Sequence, residues 1–339
     1  MNPALQALIT IIVGVGGCVG YFYLSNQFLD KVLFVPRGKN AGRNINRANM
    51  IRPWLFLLPA LLALGLYLAY PVVETLRLSL TERVTRPDGT TIYNWVGLDN
   101  YRQMMAEPKF WEALRNNAMW LLVVPALATA FGLLAAQLTD RLKWGNIAKS
   151  LIFMPMAISF VGAAVIFKLI YDMRPVDQEQ IGVLNALYLY FGGTEPKAWL
   201  TVPLWNNFFL MAVLVWIQTG FAMVILSAAL RGIPEETIEA AIVDGANPFQ
   251  VFFKIKVPQI KGTIMVVWTT ITIVVLKVFD IVFAMTNGQW GTQVLANYMY
   301  DKLFRANDWG VGSASAMVIM LLVTPILVWN VRNARKEMK

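Results

Sequence analysis

The chain has 339 residues, of which 57% are hydrophobic and only 14% charged, with a mean hydropathy of +0.54; such a balance excludes an ordinary water-soluble globule and points to a bilayer as solvent. Its net charge of +9 is spread over separated segments that form no RNP, zinc-finger or basic-helix motif, so membrane topology accounts for it and no nucleic-acid partner is expected. The absence of histidine excludes imidazole metal sites and histidine acid–base chemistry, and the lone Cys18 excludes an intramolecular disulfide.

Crossing a bilayer takes about 20 mostly apolar residues. Stretches of that kind lie at 4–25, 53–73, 116–139, 150–172, 206–230, 262–285 and 311–330, predicting an all-α polytopic protein of seven spans. The first stretch lacks a basic n-region and is followed by cations rather than a small-residue cleavage site, so a retained helix is expected. Lys31, Arg37, Lys39, Arg43, Arg47 and Arg52 follow it; Arg141, Lys143 and Lys149 follow the third span. Arg231, Lys254, Lys256 and Lys261 follow the fifth, and Arg332, Arg335, Lys336 and Lys339 follow the last. Every second connection is therefore basic, which predicts an outside N-terminus and a cytoplasmic C-terminus. The connections near 74–115, 173–205 and 286–310 are mixed in charge and face outward.

Polar residues at membrane depth tend to face a bundle interior or a wet cavity. In the fifth span these are Asn206 and Asn207 near the outer end, with helix capping or interface hydrogen bonding as the plainer reading, and Gln218, Thr219 and Gly220 in the inner half. In the sixth span Lys277 and Asp280 are three apart and are expected on one helical face toward the outer leaflet. They read as a gate or upper pocket, or as a pair that merely lowers the cost of its own burial.

Between these two spans the loop 231–258 is polar and punctuated. Pro234 suits a first helical turn, and Glu235, Glu236 and Glu239 favour the positive end of that helix. Ile238, Ala241 and Ile242 share a face, Asp244-Gly245 supplies a stop, Asn247-Pro248 restarts a helix carrying Phe249, Phe252 and Phe253, and Pro258 is expected to end it. The product is a bent elbow. It could lie on the membrane surface, but its acidic first half suits a groove in a partner protein better.

Glu239-Ala240-Ala241, Asp244-Gly245-Ala246 and Phe253-Lys-Ile-Lys-Val-Pro258 together resemble the EAA signature of permease subunits in bacterial ATP-binding-cassette importers. Val96-Gly-Leu-Asp-Asn-Tyr101, Phe153-Met-Pro155, Gly182-Val-Leu-Asn185, Arg231-Gly-Ile-Pro234 and Val278-Phe-Asp-Ile281 followed by Thr286-Asn-Gly288 resemble its carbohydrate branch, the maltose and glycerol-phosphate permeases, with alpha-glucoside and glucosylglycerol permeases the nearest likeness. The resemblance covers roughly 53–332 and implies a type I importer core of about six helices in 53–339, with 1–52 as an extra helix and basic loop at its periphery. It implies a bacterial cytoplasmic membrane, a second permease subunit usually different from this one, an ATPase dimer that binds ATP and Mg, and an external solute-binding protein. The elbow would be the coupling helix, with Glu239 pairing a basic residue of the ATPase and Gly245 permitting the bend. The sugar pocket would draw on the region of Gln218 to Gly220 and on positions 277 and 280, and Trp216 and Trp268 offer flat surfaces for a sugar ring.

The chain carries no GxxxxGK[ST] pattern, so ATP hydrolysis is expected on a partner and no cofactor on this chain. An ion-coupled secondary transporter would use Lys277 with Asp280 as a relay, but it calls for matching halves, and no internal repeat is visible. A membrane transferase would want facing carboxylates, whereas Glu235, Glu236, Glu239 and Asp244 crowd one short segment.

Overall fold

The computed structural model describes residues 3–37, 41–140 and 142–337. Lys39, Arg141 and Lys339 of the basic segments lie outside the described residues. The chain forms two compact units, Met1–Glu74 and Thr75–Lys339.

In the first unit α1 (Pro3–Phe28) runs on into a wide π turn at Leu29–Leu33, and α2 (Ala41–Leu64) into another at Gly65–Ala69. Tyr21 Oη donates to the Leu55 carbonyl at 2.8 Å, Phe22 meets Phe56 edge to face, and Arg52 pairs with Asp30 at 2.8 Å. Most other side chains of both helices are exposed and apolar, as expected of surfaces solvated by lipid rather than water.

The helix α3 (Tyr70–Ser79) leads into the second unit, where β1 (Thr81–Thr85) and β2 (Thr91–Trp95) pair antiparallel in a hairpin, Thr81 opposite Trp95. Gly89 turns it with φ +81°. After α4 (Asp99–Ala106) comes α5 (Pro108–Thr139). The span expected at 150–172 is not one helix: α6 (Gly145–Phe153) passes through a tight turn at Met154–Ala157 and meets α7 (Phe160–Ile170) at 102°. Pro155 sits in that turn, and Ser159 caps α7 by accepting from Gly162 N at 3.1 Å. Then follow α8 (Val183–Tyr190) and α9 (Trp205–Arg231).

Beyond α9 come α10 (Glu235–Val243) and a continuous helical rod made of α11 (Pro248–Gln250), a π turn at Val251–Lys256 and α12 (Val257–Gln259). This rod meets α13 (Lys261–Leu276) at 71°. The expected sixth span also breaks, because α13 stops at Leu276 and α14 (Asp280–Met285) begins only after Lys277–Phe279. Finally α15 (Leu295–Tyr300) and a π turn at Asp301–Arg305 precede α16 (Trp309–Glu337). Five helical stretches among the described residues are long and apolar enough to span a bilayer, and seven when each bent pair counts as one.

Two of the π turns end two residues before a proline, Gly65–Ala69 before Pro71 and Val251–Lys256 before Pro258. Proline offers no N–H and crowds the carbonyl four residues back, so a widened turn upstream removes the clash without ending the helix. Pro258 therefore lies inside the rod rather than terminating it.

The core forms around α5 and α9. Both begin beside the 286–295 segment and both end beside Asp140, so they run parallel. They approach closely at Gly132, where an added Cβ would stand 2.4 Å from Ala222 Cβ and 2.9 Å from Met223 N. Trp120, Val124 and Ala128 of α5 pack there with Leu214, Ile217 and Met223 of α9 and with Val267, Ile271 and Val275 of α13.

Candidate functional site

The elbow leaves α9 through Gly232 and the buried Ile233, with Pro234 at the N-cap rather than inside the first turn of α10. Its bend is a glycine cap. Gly245, at φ +83°, donates to the Ile242 carbonyl and Ala246 N donates to the Ala241 carbonyl, both at 2.9 Å. Asn247 and Gln250 then close a reciprocal capping box with both bonds at 2.9 Å. The glycine cap and the capping box thus fix the bend through sequence-local hydrogen bonds.

Ala241 is buried and Ile238 packs against the core, but Ile242 turns outward at 58% exposure, which corrects the expected three-residue face. Val243 at 86% and Phe249 at 77% are more exposed still, and Phe253 stands with them. Ala240, Glu235, Glu236, Glu239, Asp244 and Gly245 are exposed, Ala246 is half-buried, and none of these carboxylates forms an ion pair among the described residues. The tip therefore presents unpaired negative charge beside apolar side chains, a surface suited to a partner with cations around an apolar slot. Behind it, Leu134, Gln137 and Leu138 of α5 and Phe249, Phe252 and Phe253 enclose a groove of about 270 Å³.

The membrane residues fall into separate roles. Asn206 and Asn207 are fully buried at the start of α9: Asn206 Nδ2 donates to the Trp290 carbonyl at 2.7 Å and Asn207 Nδ2 to the Gly291 carbonyl at 3.2 Å. Asn116 and Asn117, not singled out from sequence, do the same from α5. Asn116 Nδ2 donates to the carbonyls of Gly291 and Gln293 at 2.8 and 2.9 Å, and Asn117 Oδ1 accepts from Leu295 N at 2.8 Å. The two asparagine doublets, each at the start of a long apolar run, were the available signal. Together they fasten a segment in which Asn287, Gly288, Trp290 and Gly291 all have positive φ, a backbone that needs external support to persist. Asn206 and Asn207 thus act as anchors of that segment.

Gly220 lies where α6 crosses α9: a Cβ there would stand 2.6 Å from the Ile152 carbonyl oxygen, so its smallness serves packing. Thr219 Oγ1 donates to the Val215 carbonyl at 2.7 Å. Thr219 and Trp216 line an apolar groove of about 670 Å³ with Val123, Leu127, Phe131 and Pro155, and Phe167 meets Trp216 edge to face at 5.3 Å. Gln218 points to another face, is 7% exposed, and makes no hydrogen bond among the described residues. On α13 Trp268 is half-buried.

Lys277 and Asp280 do not share a helical face, because the helix is interrupted between them: Lys277 is the exposed C-cap of α13 and Asp280 the half-buried first residue of α14. They form no ion pair among the described residues. Phe279, at the break, stacks on Phe283 with ring centres 4.9 Å apart.

A family model described as the binding-protein-dependent transport system inner membrane component matches residues 128–336. An alpha-glucoside transport system permease protein of Rhizobium meliloti (strain 1021) is 62% identical over 341 residues, covering 99% of both chains. An osmoprotective compounds uptake permease protein of Synechocystis sp. is 45% identical over 285 residues, covering 84% of this chain and 99% of its own. Among solved structures, a chain of a bacterial ABC transporter involved in the import of the acidic polysaccharide alginate superposes with a TM-score of 0.72 at 19% identity, covering 89% of this chain and 100% of that one, a likeness of fold.

The cap at Gly245 has a measurable consequence. Its Cβ would meet nothing within 4 Å, so Gly245→Val strains only the left-handed backbone, at a cost of about 1–2 kcal/mol. Amide exchange at 240–246 is expected to speed up about tenfold while exchange in α9 stays unchanged; equal protection in the variant would refute the cap's role.

Proposed function

Since the chain belongs to the family of binding-protein-dependent transport system inner membrane components, we propose that it forms the translocation pathway of an ATP-driven importer for a carbohydrate of the alpha-glucoside class. It is a multi-pass inner-membrane permease subunit and not an enzyme; ATP hydrolysis belongs to a separate subunit. The observation that carries the reading is the elbow at 231–258, which offers carboxylates without an ion pair among the described residues, and exposed apolar groups, on a capped bend joined directly to α9 and α13. The transport of alpha-glucosides by the Rhizobium meliloti relative, at 62% identity, supports the substrate class.

In this reading ATP and Mg bind an ATPase dimer beneath the membrane, and Glu239 meets a cation in its cleft. A second, different permease completes the pathway, and an external binding protein delivers the solute. Closure of the ATPases pushes the elbow, and the push enters α9 at Arg231 and α13 through the rod 248–259. Because α5 and α9 interlock at Gly132, they move as one body, while the breaks at 157–160 and 277–279 are the places where helices change direction relative to it. The segment 1–52 is read as an addition to the core 53–339, in keeping with a relative that aligns over 99% of its own length and 84% of this chain. The N-terminus is placed outside and the C-terminus in the cytoplasm, supported by the basic connections.

Reconstituted with its partner subunits and binding protein in liposomes, the wild type is expected to import at least one of radiolabelled maltose, sucrose and trehalose with ATP. Glu239→Lys is expected to lower that uptake at least tenfold with insertion and subunit assembly unchanged; normal uptake would remove the coupling role. Gln218→Ala and Asp280→Ala are expected to raise the sugar concentration for half-maximal uptake several-fold, and an unshifted curve would return both residues to structural roles. A cysteine at position 244, in a Cys18→Ala background, is expected to react with a membrane-impermeant maleimide only from the cytoplasmic side; labelling of intact cells would invert the topology.

A further inference from the structure

Asp140, one residue past the end of α5, gathers donors from two other helices on a single oxygen. Lys149 Nζ of α6 donates to Asp140 Oδ1, Ser227 Oγ of α9 donates at 3.1 Å, and Arg231 Nε and Nη2, from the last residue of α9, each donate at 3.1 Å. Lys149 also donates to Ser227 Oγ at 2.5 Å. The Asp140 and Lys149 side chains are only 22% and 14% exposed, whereas Arg231 is 60% exposed. Burial pushes the Asp140 carboxyl up, but the hydrogen bonds from Lys149, Arg231 and Ser227 outweigh it and hold the group below the ordinary carboxylate value.

The location of this cluster decides its use. Arg231 is the residue at which α9 passes into the elbow, and Lys149 stands on the helix that crosses Gly220 and then breaks at Met154–Ala157. Any displacement arriving from the elbow therefore enters α9 at the point where α9 is tied to both α5 and α6. An isolated exposed ion pair would hold little against such a load. Here the central carboxylate separates two cations, and without it Lys149 and Arg231 converge on each other with Lys149 largely removed from water.

We propose that Asp140 is a positioning residue for transport coupling: its carboxylate ties the cytoplasmic ends of α5, α6 and α9 so that they follow the elbow as one body. This rests on the importer reading above. Without the tie, movement of the elbow is absorbed by the end of α9 and does not reach the broken helix α6–α7.

The test measures ATP hydrolysed per sugar imported by the reconstituted complex, using whichever of maltose, sucrose and trehalose the wild type takes up. In Asp140→Asn the ratio is expected to rise at least fivefold, with ATP hydrolysis within about threefold of wild type, and Asp140→Glu is expected to return the ratio to within twofold. A purely structural role lowers both rates in proportion, and an unchanged ratio overturns the proposal. If Asp140→Asn does not assemble with its partners, Arg231→Gln at the exposed side of the cluster decides by the same ratio, a rise of at least twofold supporting the tie and no rise overturning it. A wild-type complex that imports none of the three sugars overturns the importer reading and the proposal with it; a coupled wild type with an unchanged variant ratio overturns the proposal alone.

Discussion

The close approach of α5 and α9 is the constraint on which the second unit rests. Lipid supplies no hydrophobic drive between apolar helices, so packing and hydrogen bonds must hold them. Gly132 provides the first by letting Ala222 and the Met223 backbone come within contact of α5. The asparagines provide the second. Four amides from the first turns of the two apolar runs grip one segment, 290–295, and each such bond contributes about 1 kcal/mol net. The same pair is joined at its other end through Asp140, Ser227 and Arg231. The two helices are thus fastened to each other at both ends as well as along their contact.

Two further spans of this unit are built differently. Both are interrupted, one at 102° around Pro155 and Ser159, the other between Lys277 and Phe279. Interrupted helices are tolerated at membrane depth when neighbours or water satisfy the freed backbone groups, and such places are where polar side chains and solute can meet. Lys277 and Asp280 flank one of these breaks, one on each side, which gives them separate environments instead of a shared face.

Most of the architecture was legible because its signals are local. Seven apolar runs predicted the spans, and Asp244-Gly245 with Asn247-Pro248 predicted the elbow's stop and restart, since glycine caps and asparagine N-caps act within a few residues. What escaped were features decided by tertiary contact. The hairpin around Arg86-Pro-Asp-Gly89 lay inside a segment read only as an outward loop, although its turn residues were visible. The asparagine doublets could not be separated into pocket or anchor, because an amide's role depends on which carbonyl reaches it. Helical spacing put Lys277 and Asp280 on one face only on the assumption that the helix continued, and Pro258 was expected to end a helix that a widened turn lets through.

That widened turn has a consequence for the register of everything after it. The six residues Val251–Lys256 hold one more residue per turn than an α-helix would. Removing one residue while winding the rest into regular α-helix would leave the downstream phase unchanged, whereas winding all six residues into regular α-helix would rotate the downstream chain by about 100°. The stripe Val267, Ile271 and Val275 would then swing off the axis formed by α5 and α9, and half-buried Trp268 or Thr270 would be carried toward it. The apolar phase of α13 is thus set before the helix begins, by the widened turn in the elbow.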